Sequence, residues 1–278
     1  MKTLKKHVIR PILLITITLA ILYAVVNILG VWIQNYAMFP IPRVYGGILE
    51  GESVLPTPSG DKITVLSLDN PAAKQTILFS HGNGEDLNRI EPYLHELRNL
   101  GFNVVAYDYR GYGRSEGKPS EKALEEDILS VYEWIIRDKK VSPEQIILLG
   151  RSMGGGPSVW LAGQKPVSGL ILESTFTSAY EVMLPPLPYY RNPFPTQRRL
   201  RNLRVPVLFI HGTADLLIQP HHARKNFEAA HEPKQIVWIQ GAGHNDAYQT
   251  DPRTYQESIL QFSRKLNDST TAVSKSVD

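Results

Sequence analysis

The 278-residue chain contains no cysteine. That absence excludes disulfides, thiolate metal sites and a cysteine nucleophile, and it leaves the redox compartment open. An excess of one charge is also missing, since 30 lysines and arginines face 27 aspartates and glutamates, a net charge of +3. The basic residues gather in the first ten positions and between Arg191 and Arg204. No basic groove interleaved with base-stacking aromatics accompanies them, so no nucleic-acid partner is expected. Repeats and low-complexity blocks are lacking too. What remains, with 42% hydrophobic residues, suffices for one sizeable core plus an appendage.

The appendage is N-terminal. After Lys2, Lys5, Lys6, His7 and Arg10, no charged residue occurs until Arg43. The run from Pro11 to Ile33 is apolar all round and long enough to cross a bilayer as a helix. A cleaved signal peptide would have a shorter apolar region ending in a small-x-small site, whereas Tyr23, Asn27 and Trp32 interrupt the candidates. Residues 1–33 therefore read as a basic cytoplasmic end and a transmembrane signal anchor. The positive-inside rule then sends everything beyond Ile33 to the non-cytoplasmic side. Residues 34–60, with several Pro and Gly and short β-like runs, read as a linker and edge strands. About ten residues separate Gln34 from a first strand near Val44, a reach of roughly 35 Å at most. Residues 268–278 read as a flexible tail.

Between these ends, residues 61–267 alternate. Strands are predicted over Ile63–Leu68, Thr76–Phe79, Asn103–Tyr107, Ile146–Leu149, Leu170–Leu172, Val207–Ile210 and Ile236–Ile239. Helical spacing appears over Asp86–Leu100 and from about Glu121 to Lys139, where Ala123, Leu124, Ile128, Val131 and Ile135 recur at three and four. Such alternation implies an α/β domain, a mostly parallel sheet with helices on both faces. From Glu173 to Val205 the rhythm breaks at Pro185, Pro186, Pro188, Pro193 and Pro195, which rule out one long helix. This interval reads as a small cap at about residues 174–205 or as a long surface loop.

Chemistry enters at Ile146–Gly155, where a buried strand runs through Gly150-Arg151-Ser152-Met153-Gly154 into a helix. A serine on so sharp a turn sits in a strained backbone region, with its hydroxyl at the strand's carboxyl end and Met153 N–H aimed at a developing oxyanion. It needs a base. His7 lies in the basic end, His95 in mid-helix, and His221, His222 and His231 read as solvated helix positions. His81 and His211 each close a strand as His-Gly, which suits packing or backbone bonding. His244, in the Gly241–Asp246 loop after the last strand, is free to reach Ser152. Asp215, after the strand Val207–Ile210, gives the chain order Ser, Asp, His and would orient the imidazole. Glu173 is the second choice, Asp246 suits a loop-stabilising turn, and Asp108 precedes Ser152. A second oxyanion donor fits Asn83 N–H in His81-Gly82-Asn83-Gly84, although an ordinary strand-to-helix turn uses the same glycines.

Together with Asp108-Tyr109-Arg110-Gly111-Tyr112-Gly113-Arg114-Ser115, these motifs resemble the α/β-hydrolase superfamily over nearly all of Gly60–Leu266. They are most similar to its membrane-associated branch of bud-emergence-suppressor-like hydrolases and eukaryotic protein depalmitoylases. The resemblance implies the α/β-hydrolase fold, Ser152, Asp215 and His244 as a catalytic triad, Asn83 and Met153 as amide donors, and a structural role for the Asp108 motif. The depalmitoylase relatives are held by a cysteine-rich segment that this chain lacks, so a relative anchored by a transmembrane helix fits better. The expected activity is a membrane-anchored serine hydrolase cleaving small-molecule or lipid-like acyl esters or thioesters through an acyl-enzyme, without cofactor or metal. A serine peptidase of the same fold and a membrane-tethered interaction module are the alternatives.

Overall fold

The computed structural model describes residues 2–40, 46–183 and 193–275. Their strands are β1 (Glu52–Pro56), β2 (Lys62–Leu68), β3 (Thr76–Ser80), β4 (Asn103–Tyr107), β5 (Ile146–Arg151), β6 (Gly169–Glu173), β7 (Val207–Gly212) and β8 (Lys234–Ile239). The helices are α1 (Lys2–Met38), α2 (Leu87–Asn99), α3 (Glu121–Arg137), α4 (Gly155–Ala162), α5 (Ala179–Met183), α6 (Thr196–Leu200), α7 (Pro220–Ala229), α8 (Ala247–Thr250) and α9 (Pro252–Lys275).

All described strands join one sheet in the order β1-β2-β4-β3-β5-β6-β7-β8. Only β2 runs against its neighbours, and from β4 to β8 every pairing is parallel. Parallel neighbours need crossovers, and the helices supply them on both faces. Along β5, Ile147 and Leu149 face the core under α2 and α9, while Ile146 and Leu148 face the core under α3 and α4. The strand's two-residue period thus feeds two hydrophobic layers at once, which is why its sequence is apolar throughout. The chain crosses to β4 on one side of β3 and later returns to β5 on the other. The crevice at the carboxyl ends of β3 and β5 is therefore the switch point where open α/β sheets bind ligands.

Capping fixes where the helices around this crevice start. Asp86 accepts the Arg89 N–H at 3.0 Å ahead of α2, and Ser120 accepts the Ala123 N–H at 3.0 Å ahead of α3. Between them the Asp108–Ser115 motif is a buried polar hub. Asp108 accepts the Leu87 N–H at 2.9 Å, and the Tyr109 hydroxyl donates to the His81 carbonyl at 2.7 Å. Burial pushes the Asp108 carboxyl up to about 7. Gly113, at φ +50°, passes so close to Asp108 that a Cβ there would collide with the carboxylate.

Three expectations are revised. Residues 34–60 do not begin as a linker: α1 continues to Met38, and Met38 and Phe39 are buried against the main core. Burying two large apolar side chains outweighs the freedom that a flexible connection would keep. The tail is not wholly frayed, because α9 runs on to Lys275, a helix once nucleated being extended at little cost. His222 is not solvated: it is 4% exposed, and its Nδ1 accepts from the Thr177 hydroxyl at 2.8 Å. Burial, and then the neighbouring His221, push its pKa down to about 4. The first strand expected near Val44, and residues 184–192 of the expected cap, lie outside the described residues.

Arg110 shows how the hub is held. Its Nε–H donates to Asp127 Oδ1 at 2.7 Å, its backbone N–H to Oδ2 at 2.9 Å, and its Nη2 to the Ala123 carbonyl at 2.8 Å. Asp127 is fully buried, so its loss would leave Arg110 with the more exposed Glu126 as its nearest carboxylate at 2.9 Å. Asp127→Ala is expected to cost roughly 3 kcal/mol in urea denaturation, the lower end for breaking a buried pair. A loss below about 0.5 kcal/mol, the ordinary effect of a surface substitution, would show that the pair does not hold the hub.

Candidate active site

Three loops meet above the carboxyl ends of the central strands. The first follows β5, where Ser152 takes up φ +53° between strand and helix. A left-handed backbone costs a non-glycine residue roughly 1–3 kcal/mol and persists only where neighbours enforce it. The enforcement is crowding: a Cβ on Gly154 would run into the Ser80 carbonyl, and one on Gly150 into the Gly154 backbone. Ser152 therefore turns outward, 8% exposed at the floor of the crevice.

The second loop follows β7. Asp215 is 1% exposed, and one of its oxygens accepts the Leu217 and Ile218 N–H groups at 2.9 and 2.8 Å. Its other oxygen lies 2.8 Å from His244 Nδ1, and His244 Nε2 lies 2.9 Å from the Ser152 hydroxyl. Burial works against the Asp215 charge, but the His244 hydrogen bond and the Ile218 N–H outweigh it and hold the carboxyl below its ordinary value. An ionised carboxylate can only accept, so His244 carries its proton on Nδ1 and offers Nε2 as acceptor to Ser152. His244 belongs to the third loop, after β8, which Asp246 braces by accepting the Gly243 N–H at 2.6 Å.

The structure brings Ser152, Asp215 and His244 into one hydrogen-bonded row and leaves their rivals out. Glu173 is buried and accepts the Tyr255 hydroxyl at 2.7 Å. His81 is fully buried and bonds through Nδ1 to the Gly82 carbonyl at 2.7 Å. His211 donates from Nε2 to the Ile218 carbonyl at 2.8 Å. Burial drives the pKa of both of these histidines down, so they stay neutral at physiological pH.

Asn83 and Met153 border the same crevice as Ser152, a cavity of about 310 Å³ whose other walls are Met38, Phe176, Ala179, Val182, Leu217 and Ile218. At roughly 300–1,000 Å³ for ligand pockets in general, this is a small one. A larger hollow of about 490 Å³ opens at the far end of the sheet around Asp69, Asn103 and Lys139. It holds none of the residues of the hydrogen-bonded row, whereas the smaller cavity is bordered by Ser152.

Sequence reasoning missed the apolar walls and the support of the Asn83 loop. Arg151, the variable residue of Gly-x-Ser-x-Gly, is 7% exposed and ion-paired with Glu85. Glu85 in turn accepts the Gly82 N–H at 2.7 Å. Burial opposes the Glu85 charge, yet Arg151 together with the Gly82 N–H outweighs it and keeps its pKa low. The Arg151 guanidinium also lies over the Phe79 and Tyr93 rings, 5.4 and 5.0 Å from their centres. An arginine beside the serine and a glutamate two residues after Asn83 were the available signal; their pairing arises only in three dimensions.

A family model described as serine aminopeptidase, S33, matches residues 71–191. Alpha/beta hydrolase domain-containing protein 17B of Homo sapiens is 38% identical over 210 residues, 74% of this chain and 72% of the relative. The protein of the same name from Xenopus laevis is 40% identical over 195 residues, 69% of this chain and 67% of that one. Among solved structures, an esterase of Pyrococcus furiosus matches with a TM-score of 0.67 at 21% identity, covering 81% of this chain and 98% of the esterase. An esterase of Exiguobacterium antarcticum matches with a TM-score of 0.61 at 18% identity, covering 76% and 99%. The esterase likeness is one of fold, the animal relatives match in sequence over two thirds or more of their length, and the chain belongs to the α/β-hydrolase superfamily, in the family of alpha/beta hydrolase domain-containing protein 17.

Proposed function

We propose that this protein is a membrane-anchored serine hydrolase that cleaves carboxylic ester or thioester bonds through an acyl-enzyme. The observation that carries this reading is the row of hydrogen bonds, 2.8 and 2.9 Å, from Asp215 through His244 to a strained Ser152 beside an apolar cavity. Ser152 Oγ attacks the acyl carbon while its proton passes to His244 Nε2. The oxyanion that forms is met by the Asn83 and Met153 N–H groups. Collapse expels the alcohol or thiol, which takes the proton from His244. A water then gives its proton to Nε2 and attacks the acyl-enzyme, releasing the acid and restoring the Ser152 hydroxyl. Asp215 stabilises the imidazolium in both halves and keeps the imidazole oriented.

The family model's description raises a peptidase as the second reading. An aminopeptidase must hold its substrate's ammonium group, and the described residues that line the cavity carry no charge, which favours uncharged acyl groups. Side-by-side turnover of p-nitrophenyl esters, acyl thioesters and aminoacyl p-nitroanilides of graded length separates the readings, with esters or thioesters expected to lead.

Ser152→Ala is expected to abolish labelling by a fluorophosphonate and to lower ester turnover by at least about 10³-fold. Wild-type protein that is folded yet never labelled would remove the basis of this reading. Asp215→Asn keeps the shape but offers an N–H where His244 needs an acceptor. It is expected to lower kcat by up to about 10⁴-fold with a folded protein by circular dichroism. A loss of less than about tenfold would mean that another group orients His244.

Pro11–Gly30 forms 20 residues of helix whose mean hydropathy reaches 2.6 over an 18-residue window, enough by length and composition to cross a membrane. We read it as a single-pass anchor with residues 1–10 cytoplasmic and the Ser152 domain on the other side. Protease applied to the non-cytoplasmic face of sealed vesicles should digest the domain, and protection there with digestion from the cytoplasmic face would reverse the orientation.

A further inference from the structure

The cavity next to Ser152 is not built by the hydrolase domain alone. Met38, one of its walls, is the last residue of α1, the helix that contains Pro11–Gly30. Met38 is 3% exposed, its carbonyl accepts from Asn83 Nδ2 at 3.4 Å, and Phe39 beside it is also buried in the main core. Met38 lies eight helical steps beyond Gly30, about 12 Å along the axis. The headgroup layer on each side of a bilayer is roughly 5–8 Å deep. With Pro11–Gly30 read as the membrane span, the helix would set the cavity within a few ångströms of the lipid surface.

The loop after β7 supplies a second sign. Leu216 and Leu217 are 89% and 60% exposed, and Leu217 borders the cavity together with Met38. Among the described residues this leucine pair has nothing to bury against, yet it is held out by a rigid turn, since Asp215 ties down the Leu217 and Ile218 N–H groups. A lipid surface is the partner such a rim fits: apolar, beside the anchor, and at the level of the cavity.

Building on the serine-hydrolase reading, we propose that the end of the membrane helix completes the acyl pocket and that its mouth faces the bilayer. The substrates are then acyl esters or thioesters resident in the membrane leaflet, whose acyl group moves from the lipid into a pocket bounded by Met38 and Leu217. Met38 sets how much of that acyl group fits.

The test uses the full chain in phosphatidylcholine vesicles, with two substrates: soluble p-nitrophenyl butyrate and a long-chain fluorogenic ester embedded in the same vesicles. Leu216→Asp should leave fluorophosphonate labelling and butyrate turnover unchanged and lower turnover of the embedded ester at least about tenfold, the lower end for burying one leucine. Met38→Trp should shift preference toward shorter acyl groups across a series of p-nitrophenyl esters, and Met38→Ala toward longer ones. Equal effects of Leu216→Asp on both substrates, or no effect on either, would overturn membrane delivery. An unchanged chain-length profile in both Met38 variants would remove the anchor from the pocket. If wild-type protein is labelled and hydrolyses butyrate but ignores embedded esters, the hydrolase reading stands and this inference fails; if it is never labelled, both fall.

Discussion

A serine at φ +53° is a position that the surrounding chain has to defend, and much of this molecule is arranged around that defence. The strand before Ser152 must be rigid, so β5 lies between β3 and β6 with apolar side chains on both faces. The turn after it must be narrow, so glycines stand where α4 passes the Ser80 carbonyl and the Thr175 side chain. Relaxing the turn would need a shift of β3 or of the segment after β6, which the close packing of the sheet resists. The strain therefore stays at the serine.

The same economy joins the other two loops. The Asp215 carboxylate both fixes its own turn, through the Leu217 and Ile218 N–H groups, and holds the His244 imidazole. His211, one residue before the end of β7, bonds to the Ile218 carbonyl and closes the same turn from behind. Across the crevice, Arg151 and Glu85 link the serine's strand to the Gly82 amide. The groups beside the cavity thus rest on charged pairs that are mostly shielded from water, where each hydrogen bond is stronger and each loss more costly.

The N-terminal helix changes what kind of object the site is. A domain joined to such a helix by a flexible tether would sample many orientations, and its cavity would be its own. Here the helix ends as part of the cavity wall, with Met38 and Phe39 buried. Position relative to the helix and shape of the pocket are then set at the same place.

The sequence by itself determined the sheet, most of its order of events and the hydrogen-bonded row. Seven strands and the two long helices that follow β3 and β4 were legible because their periods of two and of three to four residues are local properties. Ser152, Asp215 and His244 were legible because each follows a strand, and strands in a parallel sheet bring their carboxyl ends to one edge. That Asn83 and Met153 border the Ser152 cavity was legible for the same reason, from the ends of β3 and β5. Three features were not: the extension of α1 to Met38, the burial of His222 and the Arg151–Glu85 pair. Each depends on a partner far away in sequence, such as Thr177 for His222 or Asn83 for Met38. Spacing along the chain carries the chemistry of a loop, whereas burial and pairing across loops arise only when distant surfaces close on one another, and that was left to the tertiary structure.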